Sequence, residues 1–190
     1  MSYINNKKSL AYITGIALGD GNLSNPNGRA VRLRITCDKK YPLVIKAIEK
    51  NLKIIFPENK VSNINKGNAI DISVYSNELE NLLGWKAKNG SKIIQKISVP
   101  VWIKDDIIYT KECLRGLFQT DGSLYSDRGY KMANFTSVSY TLIIDVKDML
   151  KMVGFEVKIR EVVDKGRIKY VVRISKNVEK FIETINFWKS

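Results

Sequence analysis

The sequence has no histidine among its 190 residues, and only two cysteines. Without histidine the chain cannot use an imidazole as a general base or a metal ligand. Cys37 and Cys113 are too few for a disulfide framework or a zinc site, and Cys113 lies in a helical apolar pattern that predicts burial. No apolar run approaches the roughly 18–20 residues that span a bilayer, and the first eight residues lack the apolar stretch of a secretory signal. We therefore expect an intracellular protein, in a reducing compartment and without membrane contact.

Acidic residues are also scarce relative to basic ones. The chain has 32 Lys and Arg against 19 Asp and Glu, which gives a net charge of +13. The basic excess occurs in both halves of the sequence, so the charge belongs to a basic body and not to a basic tail. Such a surface attracts a polyanion, and nucleic acid is the first candidate.

An internal repeat of about 100 residues organises the chain. Residues 10–21 resemble residues 111–122, with Gly15 matching Gly116 and Asp20 matching Asp121. Four more landmarks recur in the same order at similar offsets: a Gly-containing turn, a Tyr-initiated apolar segment, a Lys-Gly turn and a Trp-Lys pair. Their positions are 25–28 and 126–129, 41–45 and 140–144, 65–68 and 164–167, and 85–86 and 188–189. Each half is therefore predicted to fold in the same way.

Both halves predict the element order αββαββα. A helix over about 9–19 or 111–120 ends at the Asp-Gly pair, and the strand over about 31–36 alternates basic or polar with apolar side chains. A helix follows over about 41–54 or 140–153. The next hairpin turns at Lys66-Gly67 or Lys165-Gly166, with strands marked by Ile70, Ile72 and Val74 and by Phe155, Val157 and Ile159. A final helix is predicted over about 77–84 or 176–187.

Antiparallel hairpins favour an α+β fold over a doubly wound sheet. We expect two pseudo-symmetric halves, at residues 1–96 and 111–190, joined by a linker at 97–110 and sharing one core.

The helices before the Asp-Gly pairs have small residues at helical spacing. Gly15 and Gly19 stand four residues apart, as do Gly116 and Thr120, so each pair lies on one helical face. Glycine inside a helix costs about 1 kcal/mol relative to alanine. Its presence is explained if small residues let the two helices pack closely, as in other small-xxx-small contacts. The helix ends, with their aspartates, would then converge.

If the two aspartates converge, their carboxylates lie next to two helix C-termini, which carry partial negative charge themselves. Such a cluster needs a cation. Carboxylate, main-chain carbonyl and water are the ligands that Mg²⁺ prefers. A metal ion there can activate water and stabilise the leaving 3′ oxygen of a phosphodiester. The sequence therefore predicts metal-assisted phosphodiester hydrolysis.

The segments ITGIALGDG at 13–21 and LRGLFQTDG at 114–122 resemble the LAGLIDADG motif of homing endonucleases. The resemblance covers essentially the whole chain, and two copies look like the single-chain class of this family, which acts as a monomer. It implies saddle-shaped sheets and an intron-encoded endonuclease that breaks both strands of a long DNA target. It also implies Asp20 and Asp121 as the catalytic, metal-binding acids. The carbonyls of Gly19 and Thr120 would complete the metal shell, with Mg²⁺ as the ion and Mn²⁺ or Ca²⁺ as structural substitutes.

In the family the sheets lie in the DNA major groove. The polar side chains of the strands and their turns are then the predicted DNA contacts. In the first half these are Asn22, Ser24, Arg29, Arg32, Arg34, Thr36, Lys66, Asn68, Asp71 and Ser73. In the second they are Ser123, Tyr125, Arg128, Lys131, Asn134, Thr136, Lys158, Arg160, Lys165, Arg167, Lys169 and Arg173. Because the two sets differ, the DNA target should be asymmetric.

Family members often place a basic residue beside the scissile phosphates. Some present it directly after the second strand, but Asp38 and Val138 stand at those places here, which departs from the pattern. Lys86 and Lys189 are the alternative candidates, since each follows a tryptophan near the end of its half. Both are predicted as catalytic lysines or, alternatively, as phosphate contacts or solvated chain ends.

Two other functions suit the same fold. An RNA maturase would bind its own intron RNA, and the basic surface alone does not separate it from a nuclease. A non-catalytic DNA-binding regulator would bind DNA without metal. The presence of both acids favours the nuclease. The wealth of Lys, Ile and Asn suggests an AT-rich genome, which is typical of a bacterial or archaeal cytoplasm or an organelle.

Overall fold

The fold repeats one arrangement of helices and strands along the chain. The computed structural model describes residues 2–189. The first half contains α1 (Ser2–Asp20), β1 (Gly21–Ser24), β2 (Arg32–Asp38), α2 (Pro42–Ile55), β3 (Ser62–Lys66), β4 (Ala69–Tyr75) and α3 (Leu79–Leu83). The second contains α4 (Val101–Lys104), α5 (Ile107–Asp121), β5 (Gly122–Asp127), β6 (Tyr130–Ser137), α6 (Tyr140–Met152), β7 (Ile159–Asp164), β8 (Arg167–Ile174) and α7 (Val178–Thr184). Apart from the short α4, the predicted element order is confirmed.

Each half forms one four-stranded antiparallel sheet. The strand orders are β1-β2-β4-β3 and β5-β6-β8-β7. On β2, Leu33 and Ile35 are buried while Arg32 and Arg34 reach the opposite face. Residues that pair across antiparallel strands share a face, so the registers define one polar face in each sheet. We call these two polar faces the groove faces. The other face of each sheet is mainly apolar and packs against helices, which confirms the α+β fold.

Helices α1 and α5 pack against each other at the centre of the molecule, and one hydrophobic core extends through both halves. Tyr12 and Ile16 of α1 and Leu117 and Phe118 of α5 are fully buried in it. The Phe118 ring lies 4.8 Å from the ring of Phe181 in α7, centre to centre. Within residues 2–189, no helix combines the length and the apolar character that a bilayer crossing requires.

The hairpin turn predicted at Lys165-Gly166 is confirmed, and the one predicted at Lys66-Gly67 is displaced by one residue. Two-residue loops join β5 to β6 and β7 to β8, and both residues of each loop have positive φ, as the twist of a tight hairpin demands. These loops are Arg128-Gly129 and the predicted Lys165-Gly166. In the first half the loop is Gly67-Asn68, one residue later than predicted, because Lys66 pairs with Ala69.

The strand predicted around Phe155 begins later. β7 starts at Ile159, so Phe155 and Val157 lie outside it. Phe155 is buried, and its ring centre lies 5.5 Å from that of Phe181. Because this packing holds Phe155 in the core, the chain pairs with β8 only after this residue. The last helix of each half, α3 and α7, is also shorter than predicted.

Residues 97–110, predicted as a linker, contain α4 and the start of α5. Asp106 caps α5, because its side chain accepts hydrogen bonds from the main-chain N–H groups of Ile108 and Tyr109 at 2.7 and 3.4 Å. The segment is anchored to α6 by the buried carboxylate of Asp145. This group accepts hydrogen bonds from the Val99 N–H at 2.7 Å and from Lys104 Nζ at 2.7 Å.

Candidate functional site

Glycines bring α1 and α5 into main-chain contact. A Cβ atom at Gly116 would lie 2.5 Å from the Tyr12 carbonyl oxygen and 2.8 Å from the Ile16 nitrogen. A Cβ atom at Gly15 would overlap the carbonyl oxygen of Cys113. Distances this short exclude any side chain, so the helices are closer than two ordinary helices can pack. The predicted role of the glycines is confirmed.

The helix ends place the two aspartates in one site. Asp20 ends α1 and Asp121 ends α5. A Cβ atom at Gly19 would be 2.9 Å from Oδ2 of Asp121 and would overlap the side chain of Thr120. The carboxylate of one helix therefore lies beside the last turn of the other, and the carbonyls of Gly19 and Thr120 belong to the same small volume.

Two lysine ammonium groups reach the same helix ends. Lys92 Nζ donates to the carbonyl oxygens of Ala17 at 2.9 Å, Leu18 at 2.7 Å and Gly19 at 2.6 Å. The second ammonium, on Lys189, donates to the carbonyl oxygens of Thr120 at 2.9 Å and Gly122 at 3.1 Å. Each helix C-terminus in the site is therefore capped by a cation from the last segment of its own half.

The pKa values of Asp20 and Asp121 are both raised above the ordinary value of an aspartate. Both carboxyl groups touch solvent, but the protein around them removes enough water to favour the neutral form. This partial burial, with the nearby charge of Asp20, raises the pKa of Asp121 to about 6, although Lys92 and Lys189 act in the opposite direction. Burial also raises the pKa of Asp20, again against the two lysines.

The pKa of Lys92 is lowered to about 8. Loss of hydration is the main cause, and the two aspartates oppose it. The ammonium nevertheless remains the predominant form at pH 7, since its pKa stays above that value.

Among residues 2–189, no three or more Asp, Glu, Cys or His side chains gather in a way that could hold a metal ion. A metal here would depend on Asp20, Asp121, main-chain oxygens and water. That donor set fits a hard divalent ion. The fit requires the carbonyls of Gly19 and Thr120 to be released from the lysines.

The structure brings one of the two predicted lysines to the site. Lys189 lies there, with its Nζ also 5.3 Å from the centre of the Tyr41 ring. Lys86 does not: its Nζ pairs with Glu80 at 3.2 Å and is largely exposed. Lys92 takes its place. The sequence offered no signal for this, because Lys92 and Lys189 do not match in the repeat that aligned the other landmarks.

The first groove face collects most of the side chains predicted to contact DNA. Arg34 is paired with Asn22 on one side and Ser73 on the other, and Thr36 donates to Asp71 at 2.6 Å. The remaining predicted strand residues of this half on the same face are Ser24, Arg32 and Lys66. Tyr75 and Ile64 share it and were missed, although Tyr75 has the same strand parity as Asp71 and Ser73.

The second groove face carries Arg173 at its centre, paired with Asn134. The ring of Tyr125 lies 5.8 Å from the Arg173 guanidinium. Predicted residues that share this face by register are Ser123, Thr136, Arg160, Arg167 and Lys169. Arg29, Asn68, Arg128 and Lys165 lie in loops at the sheet edges, and Lys158 precedes β7.

Lys131 is a correction to the predicted DNA contacts. It pairs with Ser126 on the face opposite to Asn134, and its Nζ forms a 3.0 Å salt bridge with Glu179 of α7. The prediction gave Lys131 the wrong strand parity, because the tight Arg128-Gly129 loop sets the register of β6. Tyr130 and Met132 occupy the groove face instead.

Two cavities flank the aspartates. The larger, of about 440 Å³, is lined by Gly19, Lys92, Asp121, Thr136 and Lys169, among others. The smaller, of about 290 Å³, lies beside Lys189 and includes Tyr41, Gly122 and Ser123. Each cavity thus joins one capped helix end to a groove face.

The fold and the paired acids define a protein built from two LAGLIDADG-type domains. Residues 9–83 match the family model described as the WhiA LAGLIDADG-like domain, and residues 109–186 match the LAGLIDADG-like domain. The chain belongs to the LAGLIDADG family in its single-chain, two-motif form.

Solved structures share this architecture. The homing endonuclease I-DmoI in complex with DNA and Mn matches with a TM-score of 0.70 and 20% identity, over 95% of this chain and 97% of that one. Other I-DmoI structures contain target DNA with Mg or DNA with Ca. The N-terminal LAGLIDADG domain of DUF199/WhiA matches with a TM-score of 0.65 and 15% identity, over 96% of this chain and 84% of that one.

One curated relative is the tRNA-splicing ligase RtcB of Methanopyrus kandleri. It is 24% identical over 203 residues, which covers 94% of this chain and 20% of the relative. The chain therefore spans about a fifth of that protein's length.

Proposed function

We propose that the chain is a site-specific DNA endonuclease that makes a metal-dependent double-strand break in a long asymmetric target. One observation carries this proposal: Asp20 and Asp121, one from each half, end two helices that are in main-chain contact. A single site with one acid from each half suits a reaction that must cleave both DNA strands. The solved I-DmoI complexes, in which a protein of this fold holds its target DNA, support it.

The two groove faces would hold the duplex. Arg34 and Arg173 lie at the centres of these faces and suit guanine edges, while Asn22 and Asn134 suit adenine. The faces differ at nearly every position, and this difference supports an asymmetric target. Exposed apolar side chains on the same faces, such as Ile64, suit thymine methyl groups.

The acids would bind the metal, and the lysines would face the scissile phosphates. Asp20 and Asp121, with the carbonyls of Gly19 and Thr120, supply hard oxygen ligands, and we infer Mg²⁺ as the natural ion. When bound, such an ion lowers the pKa of water and stabilises the leaving oxygen. Lys189 would orient a phosphate by charge and hydrogen bonding.

The same observations support a monomer that acts on double-stranded DNA. Both motifs reside in one chain, so no second copy is needed to complete the pair of acids. An intron origin and an intracellular setting are part of this proposal, as the family resemblance implies.

The target is found first by selecting cleaved sites from a random DNA library with Mg²⁺. Asp20→Asn or Asp121→Asn should then abolish cleavage, a loss of at least about 10³-fold if the metal supplies several kcal/mol to the transition state. Binding to the same DNA in Ca²⁺ should persist, since the groove faces are unchanged. Asp148→Asn, on the exposed side of α6, is the matched control and should cut normally. Normal cutting by either site variant would remove the metal-site assignment.

A second candidate is a non-catalytic DNA-binding protein. The observation that favours it is the pair of lysines already seated on the carbonyls that a metal would need. The match of the first half to the WhiA domain is consistent with it. This candidate predicts binding to selected DNA in EDTA and no cleavage with Mg²⁺ or Mn²⁺.

A further inference from the structure

Two ammonium groups lie where the site has its main-chain oxygen ligands. Lys92 Nζ is 2.6 Å from the oxygen of Gly19, and Lys189 Nζ is 2.9 Å from that of Thr120. Each lysine is about 70 residues from the helix end it caps, and each comes from the segment that closes its half. An ammonium group therefore caps each of the two helix ends, although the two lysines do not occupy matching positions of the sequence repeat.

The first lysine is well suited to replace a cation. An ammonium group has three donors, and Lys92 donates to three carbonyls of the last turn of α1, those of Ala17, Leu18 and Gly19. Asp121 lies beside the same turn. The ammonium therefore compensates the partial negative charge of the helix end, and Lys92 lines the same cavity as Asp121.

The second lysine is held by a buried chain of hydrogen bonds. The hydroxyl of Tyr12 donates to Gln119 Oε1 at 2.7 Å, and Gln119 Nε2 donates to the carbonyl of Trp188 at 2.9 Å. Gln119 is 3% exposed. Since Trp188 directly precedes Lys189, this connection fixes the main chain from which the ammonium reaches Thr120.

An ammonium and a divalent ion cannot share one of these carbonyls. A metal ligand distance of about 2.0–2.1 Å for Mg²⁺ would place two positive charges on the same oxygen, where they repel. The lysine must leave before the metal can coordinate that oxygen.

We propose that Lys92 and Lys189 are internal counter-ions that occupy the metal-coordinating carbonyls of the free protein and thereby weaken its binding of divalent metal. This inference rests on the proposed function only in taking the Gly19 and Thr120 carbonyls as metal ligands. The free protein then folds without metal, and the site opens to metal when the lysines acquire another anion, such as a DNA phosphate.

The test measures Mn²⁺ binding to the protein without DNA, by isothermal titration calorimetry and by electron paramagnetic resonance of free Mn²⁺. Lys92→Met and Lys189→Met should each tighten Mn²⁺ binding by about tenfold, and the double variant should bind more tightly still. Lys88→Met removes an exposed lysine from the same segment as Lys92 and should leave the affinity unchanged. Lys92→Arg keeps the charge and should bind Mn²⁺ as weakly as wild type.

Thermal unfolding provides a second readout. In EDTA the double variant should unfold at a lower temperature than wild type, because the helix ends and carboxylates have lost their counter-ions, and Mn²⁺ should restore it. Wild type should respond little to Mn²⁺. If the double variant does not fold in EDTA or in Mn²⁺, the same comparison of unfolding temperatures in EDTA and in Mn²⁺ is made with the two single variants.

Unchanged or weaker Mn²⁺ binding in the Met variants overturns the inference. The outcome is independent of nuclease activity. Tighter binding in the variants of a protein that never cuts DNA would support the counter-ions and reject the endonuclease. If the wild-type protein cuts DNA but its Met variants bind Mn²⁺ no more tightly, the endonuclease proposal is supported and the counter-ion proposal is rejected.

Discussion

Asp20 and Asp121 are equivalent in the repeat but not in their surroundings. The pKa of Asp121 is raised to about 6, partly by the charge of Asp20, whereas both lysines act to lower the pKa of each acid. The surroundings of both acids therefore destabilise the ionised carboxylate, which raises its pKa. Such a perturbed pKa is typical of a functional site and is not expected for an aspartate in an ordinary exposed Asp-Gly turn.

This destabilisation predicts a pH-dependent effect of Asp121→Asn. The folded-state pKa of about 6 exceeds the unfolded value near 3.9. The contribution of Asp121 to stability is therefore complete below about pH 4 and is lost as the pH rises through 6. In EDTA at pH 8 the Asn variant should be more stable than wild type, on the order of 1 kcal/mol after allowance for solvent screening.

Thermal unfolding between pH 4 and pH 8 measures this difference. It should shrink toward zero at the acid end of the range. Asp148→Asn serves as the control and should show no such trend. A variant that is less stable than wild type at pH 8 would show that the ionised Asp121 is instead a net stabilising partner of Lys92.

At the scale of elements, the contact between α1 and α5 determines the site. The helix ends meet because Gly15 and Gly116 have no side chains to separate the two main chains. The partners they face are carbonyl and amide groups, which cannot rotate away as a side chain can.

Gly116→Ala should therefore destabilise the protein despite the higher helix propensity of alanine. The new Cβ would lie 2.5 Å from the Tyr12 carbonyl oxygen, and overpacking of this kind costs about 1–3 kcal/mol. For a chain of this length, that lowers the melting temperature by roughly 2–12 °C. Lys147→Ala, at an exposed position of α6, is the control and should change the stability by less than about 0.5 kcal/mol. A Gly116→Ala protein as stable as wild type would mean that the helices can separate without penalty.

The strands show how register assigns side chains to a face. Arg34 and Lys131 were both predicted DNA contacts, but only Arg34 lies on a groove face. Lys131 instead links β6 to α7 through Glu179.

We expect Arg34→Ala to weaken DNA binding by about 1–3 kcal/mol, the usual value for an arginine that reads a base edge. Lys131→Ala should change it by less than about 0.5 kcal/mol. Fluorescence anisotropy with selected target DNA in Ca²⁺ measures both. Equal losses for the two variants would place the DNA on a different surface.

At the scale of the whole molecule, charge and duplication act together. The net charge of +13 is spread over both halves, and each half contributes one groove face and one acid. A duplex that follows both faces would contact the protein through phosphates on both sides of the paired acids.

Binding should then depend steeply on salt. If the protein neutralises roughly 6–10 phosphates, affinity should fall about 10³–10⁵-fold between 50 and 200 mM salt. The slope of log affinity against log salt concentration, measured in Ca²⁺, gives the number of counter-ions released. A nearly flat slope would contradict the two-face model. Asp148→Asn should have the wild-type slope.

The sequence by itself determined the duplication, the helix pair and the alternation of β2. These features follow local periodicities: glycines four residues apart, alternating side chains, and a motif repeated after 101 residues. The start of α5 could also have been found, since Asp106 is a typical N-terminal cap.

Only the tertiary structure decided which lysines reach the acids and which face Lys131 occupies. Lys92 and Lys189 approach helix ends that lie about 70 residues away along the chain, and no local pattern encodes such a contact. The face of Lys131 depends on a two-residue turn, and a shift of one residue reverses every side chain of a strand. Periodicity fixes the elements, whereas long-range packing and register decide which side chains meet.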